Sequence, residues 1–305
     1  MNSLTKKKKS KSPIQRGSTI FLICMLSVTI LHGIVYDLIS KFATISMMFK
    51  DRYGTGFGFY WIEWTFQQLF IPNSAVRVSM GVMFKLIAMN LFIWVPIQFI
   101  MAFFFGRKMP FEKTLRTIFY LPALIGEIVK VSVFQFMFDS SFGPLLPMVQ
   151  AVIGEIPLEG VLYNKDTAFF FIMLYSTWVG LGIPTIVLTA TVNKIPPELW
   201  EAARLDGITM WKELIYIVVP MCSPMLSVFF LNSLLSGFNI YTEIKLLTDP
   251  AQSNIYSFGY LIVTASMSGQ YYMAAGIGFL CTIIAIPVTA LVRWASDRFL
   301  PDVSV

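Results

Sequence analysis

Six apolar runs, at about 19–39, 79–105, 118–138, 167–192, 214–240 and 273–294, limit what this chain of 305 residues can become. Each is long enough to cross a bilayer, which takes about 20 apolar residues in a helix. Inside lipid every backbone N–H and C=O must find its partner within the protein, so such runs fold as helices. The expected fold is therefore all-α, a polytopic membrane protein with six transmembrane helices. Composition agrees: 56% of residues are apolar, 13% are charged and the mean hydropathy is +0.69, against about 45–50% apolar in soluble proteins.

Charge sets the orientation. The net charge of +6 is matched by Lys6, Lys7, Lys8, Lys9, Lys11 and Arg16, all directly before the first run, which marks a topology signal rather than a nucleic-acid surface. The loops on the N-terminal side add Arg107, Lys108, Lys113, Arg116, Lys194, Arg204, Lys212, Arg293 and Arg298, fifteen basic residues in all. The other side has six: Lys41, Lys50, Arg52, Arg77, Lys165 and Lys245. The basic side faces the cytoplasm, so both termini and the loop after the fourth run are expected there. With no small-x-small cleavage site after the first run, that run reads as an uncleaved span.

Several chemistries are not indicated. Cys24, Cys222 and Cys281 lie in or beside spans without close spacing, and His32 is the single histidine, so neither a disulfide framework nor a histidine metal cluster is expected. The glycines Gly54, Gly56 and Gly58 follow no strand, and no Gly-x-x-x-x-Gly-Lys-Ser/Thr motif occurs, so the chain supplies no ATP site of its own. The aromatic stretch around Trp61 and Trp64 predicts an interfacial helix within 40–77.

Between the fourth and fifth runs lies a polar island, from Pro196 through Gly207 and Trp211 to Ile217, Pro220 and Pro224. Pro197 suits a first helical position, Glu198 and Glu201 complement the positive end, and Gly207 suits the left-handed residue after a helix. A helix over 197–206 follows, with Thr209 capping a second helix that enters the fifth span. The small Ala202 and Ala203, flanked by Leu199, Trp200 and Leu205, would let the first helix enter a partner's groove. Pro220 and Pro224 predict a bend near the start of the fifth span.

Glu201-Ala202-Ala203, then Gly207, Ile217 and Pro220, resemble the EAA loop of the membrane subunits of binding-protein-dependent ATP-binding-cassette (ABC) importers. Val219 stands where that family usually has Leu. Phe238-Asn239-Ile240-Tyr241, Leu246-Leu247-Thr248-Asp249-Pro250, Tyr271-Tyr272-Met273-Ala274-Ala275-Gly276, Tyr120-Leu121-Pro122 and Phe142-Gly143-Pro144 resemble segments of its carbohydrate-uptake permeases. The resemblance covers about 79–298. It implies a type I ABC importer core of five helices, preceded here by one extra span, in a bacterial cell membrane. It also implies a second, homologous permease, two ATPase subunits that hold ATP and Mg, and an extracytoplasmic solute-binding protein. The basic tail and extra span favour a heteromeric permease pair. This chain would bind no cofactor and would not be an enzyme. Its ATPase-coupling residues would be Glu201, Ala202, Ala203, Asp206, Gly207 and Trp211.

The expected organisation is a basic cytoplasmic tail over 1–18, a first span and outer loop with the interfacial helix over 19–78, the importer domain over 79–298 with its coupling loop at 193–213, and a cytoplasmic tail over 299–305. Polar residues inside spans mark a path or a structural pair. Gln135, Tyr175, Trp178, Asn232, Asn239 and Tyr241 are the candidate substrate path, since amides beside aromatic rings suit a sugar. Glu127 and Lys130, three apart, are positioned to pair. Lys85 is placed to snorkel, and Ala274, Ala275, Gly276 and Gly278 suggest close packing in the last span. A permease for another solute, an ATP-independent carrier and a membrane scaffold remain alternatives.

Overall fold

A computed structural model describes residues 13–107, 111–158 and 160–299. The lysines of the basic tail, Lys108 and residues 300–305 lie outside them. Among the described residues every regular element is helical; the sole strand-like feature is an isolated antiparallel bridge between Lys50 and Phe57.

The first span is one long rod. Helix α1 (Pro13–His32) passes through a wider π-helical stretch, Gly33–Ile39, into α2 (Ser40–Met48). His32 lies tilted against Tyr36, with ring centroids 4.7 Å apart. From Phe21 to Ser46 hardly any side chain is covered by the rest of the chain, as lipid or a neighbouring subunit demands of a helix apolar all round. After a turn in which the Asp51 carboxylate accepts from the Thr55 N–H and hydroxyl comes α3 (Tyr60–Phe70), packed on the last helix.

Helix α4 (Ala75–Met89), whose Ser74 cap accepts from Arg77 N, runs through a π-helical stretch, Asn90–Trp94, into α5 (Val95–Gly106). The third apolar run is not a straight span. It divides into α6 (Glu112–Leu124) and α7 (Glu127–Met137), which meet at 110°. Pro122 lacks a backbone donor and Ile125 and Gly126 adopt extended conformations, so the ladder stops there. Helix α8 (Leu146–Ile153) lies in the following loop, and the fourth run is a pair, α9 (Ala168–Gly180) and α10 (Gly182–Val192), bent by 45°.

The polar island holds α11 (Pro197–Leu205) and α12 (Met210–Glu213). A π-helical stretch, Leu214–Val218, leads to α13 (Val219–Met221) and then α14 (Ser223–Asn239), turned by 81° at Cys222 between Pro220 and Pro224. Short helices α15 (Thr242–Leu247) and α16 (Pro250–Ser253) precede α17 (Phe258–Met267), and α18 (Tyr271–Phe299) closes the fold. Three continuous helices and three bent pairs thus provide the six candidate spans.

Three apolar clusters hold the helices together. One joins α4, α7, α9 and α15; one joins α5, α10 and α14 to the island; one joins α4, α14, α17 and α18. In α18, Ala274 and Ala275 are buried and Gly276 sits against α3, where a Cβ would come within 2.8 Å of the Trp61 carbonyl oxygen, whereas Gly278 meets nothing within 4 Å.

Candidate functional site

Two features stand out: the polar loop and a cavity among α4, α5, α9, α10, α14 and α15.

In the loop, Pro197 occupies the first turn of α11 and the helix stops after Leu205. Gly207 has φ +65°, its N–H bonds the Arg204 carbonyl at 3.1 Å, and the Ile208 N–H bonds the Ala203 carbonyl at 3.0 Å. This paired arrangement stops a helix firmly because glycine takes the left-handed conformation without steric cost. Thr209 precedes α12, where its carbonyl accepts from Glu213 N at 2.9 Å while its side chain makes no capping bond.

Helix α11 has two faces. Ala203 is buried and Trp200 packs inward near Phe103, so these two residues face the chain's own core. Glu198, Leu199, Glu201, Ala202, Arg204, Leu205, Asp206 and Gly207 face outward, and Trp211 is 58% exposed. Arg107, at the end of α5, clasps the loop. Its guanidinium pairs with the buried Glu213 carboxylate and lies 4.8 Å from the Trp200 ring and 5.8 Å from Phe103. Burial and the nearby Arg204 charge lower its pKa, yet a guanidinium keeps its proton in proteins. A groove of about 230 Å³ between Arg107, Pro197, Trp200, Glu201 and Arg204 opens beside this clasp.

The cavity, of about 340 Å³, lies further along the same helices. Leu86, Asn90, Trp94 and Gln98 recur every four residues and so line it from one side. Ser176 and Gly180 line it from α9, Asn232, Ser233, Ser236 and Asn239 from α14, and Glu243 from α15. Some of these amides also join helices. The Asn90 amide donates to the Ser233 carbonyl at 3.0 Å and the Ser236 hydroxyl at 2.9 Å, and Gln98 donates to the Gly180 carbonyl at 2.9 Å. Their side-chain oxygens, and the whole Asn232 amide, have no protein partner among the described residues.

Of the six residues assigned to a path from sequence, Asn232 and Asn239 line this cavity and the others do not. Gln135 donates to the Leu246 carbonyl at 2.6 Å, holding α7 to α15. Tyr175 is 1% exposed and donates to Glu127 Oε1 at 2.7 Å; Trp178 packs on Phe134 and Tyr175. The Tyr241 hydroxyl accepts from Lys245 Nζ at 2.8 Å. Glu127 Oε2 and Lys130 Nζ meet at 2.7 Å. Asn90, Trp94, Ser176, Ser233, Ser236 and Glu243 escaped the sequence reading; the four-residue recurrence of Asn90, Trp94 and Gln98 was the available signal.

Comparison with known proteins sets these features in context. The family described as binding-protein-dependent transport system inner membrane component matches residues 73–305. The arabinooligosaccharides transport system permease protein AraP of Bacillus subtilis strain 168 is 24% identical over 214 residues, which is 69% of this chain and 68% of that protein. The trehalose/maltose transport system permease protein MalF of Thermococcus litoralis is 24% identical, over 66% of this chain and 68% of its own length. A bacterial alginate ABC transporter, solved in complex with an alginate pentasaccharide-bound periplasmic protein, contains a chain with the same fold. The two superpose with a TM-score of 0.79 at 20% identity, over 94% of this chain and 97% of the other.

Proposed function

The chain belongs to the family of inner membrane components of binding-protein-dependent transport systems, and we propose that it is the permease subunit of an ABC importer carrying a sugar or oligosaccharide. The observation that carries the substrate class is the cavity. Its amides and hydroxyls surround one indole ring, Trp94, and a saccharide offers many hydroxyls and an apolar C–H face to such a lining. The arabinooligosaccharide and trehalose/maltose systems among the relatives and the alginate complex among the solved structures support the same class.

In this reading α11 is the coupling helix, with Glu201, Ala202, Asp206, Gly207 and Trp211 meeting an ATPase subunit and Ala203 tying the helix to its own chain. Both termini and the 193–213 loop face the cytoplasm, as the basic residues favour. Residues 79–298 form the importer domain, with the first span and interfacial helix (19–78) before it and cytoplasmic tails at 1–18 and 299–305. Two ATPase subunits bind ATP and Mg, so the permease is not itself an enzyme and binds no cofactor. A second permease, different from this one, completes the path, and a solute-binding protein delivers substrate to the outer end. ATP binding closes the ATPases and opens the cavity outward; hydrolysis returns it inward.

The test is uptake by the complete importer in proteoliposomes supplied with its binding protein. Asn232 and Asn239 face the cavity from exposed positions on α14. Changing both to Leu removes contacts with substrate hydroxyls and lowers uptake by about 10-fold or more, with ATPase assembly intact. Unchanged uptake kinetics would refute the cavity as the path.

A further inference from the structure

Of the residues lining the cavity, Glu243 alone is ionisable. It stands at the start of α15, past the end of α14, and therefore at the end of the cavity remote from the 193–213 loop. Burial raises its pKa, and its charged neighbours are Glu127, which raises it further, and Lys130, which lowers it. Those two are already matched. Lys130 Nζ sits 2.7 Å from one Glu127 oxygen, and the other Glu127 oxygen accepts from the Tyr175 hydroxyl at 2.7 Å. Glu243 has no salt-bridge partner within 4.0 Å among the described residues. Two acids share one base, and the unmatched acid is the one that faces the cavity. Lys85 and Lys165 do not offset it, because they line a separate groove that shares no residue with the cavity.

We propose that Glu243 selects substrate by charge, so that the cavity accepts neutral oligosaccharides and rejects those bearing uronic-acid carboxylates. The proposal rests on the reading of the cavity as the sugar path and names the class of sugar that path takes. A carboxylate is a strong acceptor for sugar hydroxyls. In its ionised form the same carboxylate repels an anion, and because Glu243 is part-buried the repulsion is screened less than in water.

The complete importer in detergent, without its binding protein, is titrated with arabinotriose, maltotriose and trigalacturonate. Emission from Trp94, isolated by difference from a Trp94→Phe complex, reports occupancy. In the unaltered complex a neutral trisaccharide perturbs Trp94, and trigalacturonate needs about 10-fold more ligand or does not bind. Glu243→Gln, which keeps size and hydrogen bonding, brings trigalacturonate within about 3-fold of the neutral sugar; its melting temperature, matched to the parent, shows that the complex is intact. Neutral binding with the same preference in Glu243→Gln would overturn the charge filter and leave the sugar path standing. Failure of every trisaccharide to perturb Trp94 would overturn the sugar path, and the filter with it.

Discussion

Removing Glu213 should loosen the loop from α5 by an amount the structure lets us work out. The carboxylate is 2% exposed and its partner Arg107 is 19% exposed. Deleting one member of a buried ion pair costs about 3–5 kcal/mol, because the other charge is left without compensation. Arg107 keeps some access to water and two aromatic rings within 6 Å, which reduces the expected cost of Glu213→Ala to about 2–4 kcal/mol. The loss is local, so hydrogen exchange is the appropriate assay. The Asp206 and Ile208 amides, bonded at 3.0 Å to the Ala202 and Ala203 carbonyls, exchange through opening of this clasp. A shift of 2–4 kcal/mol speeds their exchange by about 30- to 900-fold. The double change Arg107→Met with Glu213→Leu removes both charges and restores protection to within about 1 kcal/mol of the parent. Exchange in Glu213→Ala within about 3-fold of the parent would show that the ion pair does not hold the loop, and the reasoning would fail.

Two further substitutions test the loop and the core. Gly207 has φ +65° and open space where a Cβ would go, so Gly207→Asp adds backbone strain of about 1 kcal/mol and an acid on the outward face. Membrane levels by immunoblot stay near those of the parent while ATP-driven uptake falls; normal uptake would count against coupling through α11. Gly276→Val drives a side chain into the Trp61 carbonyl, whereas Gly278→Val enters open space. Melting in detergent should show a loss of about 1–3 kcal/mol for the first and less than about 0.5 for the second.

The features legible in the sequence are those that local rules or the bilayer decide. The length of a span and the need to satisfy its backbone announce six apolar runs, and Pro197 and Gly207 mark the two ends of α11 from neighbours alone. Pro220 and Pro224 likewise announce the turn at Cys222. Pro122 was equally visible, but a proline says that a ladder can stop, not that α7 will leave α6 at 110°; that angle depends on what α7 packs against. The cavity was hardest to read because lining it is a matter of rotation. Tyr175 and Ser176 are neighbours in α9, about 100° apart around the axis; the tyrosine turns to Glu127 and the serine to the cavity. Tyr241 lies beyond the end of α14, where Ile240 has become extended and the face carrying Asn232 and Asn239 no longer continues.

The break at Cys222 bears on how a push on the loop would reach the cavity. Apart from α10, which enters the loop, two routes lead from the loop toward the cavity. One runs from α12 through α13 into α14, and it meets the 81° turn between Pro220 and Pro224, where a displacement is absorbed by bending. The other begins at Arg107, which Glu213 and Trp200 grip from two sides, and continues into α5. From Gly106, next to Arg107, to Gln98 is eight residues of uninterrupted helix, about 12 Å at 1.5 Å per residue. Gln98 is bonded to Gly180, at the junction of α9 and α10, and Asn90, eight residues further on, is bonded to α14. The stiff route is therefore the one that passes through a salt bridge rather than along the chain. In the proposed reading, movement of α11 on an ATPase would reach α5 through Arg107 and pass on through Gln98 to the junction of α9 and α10 and through Asn90 to α14.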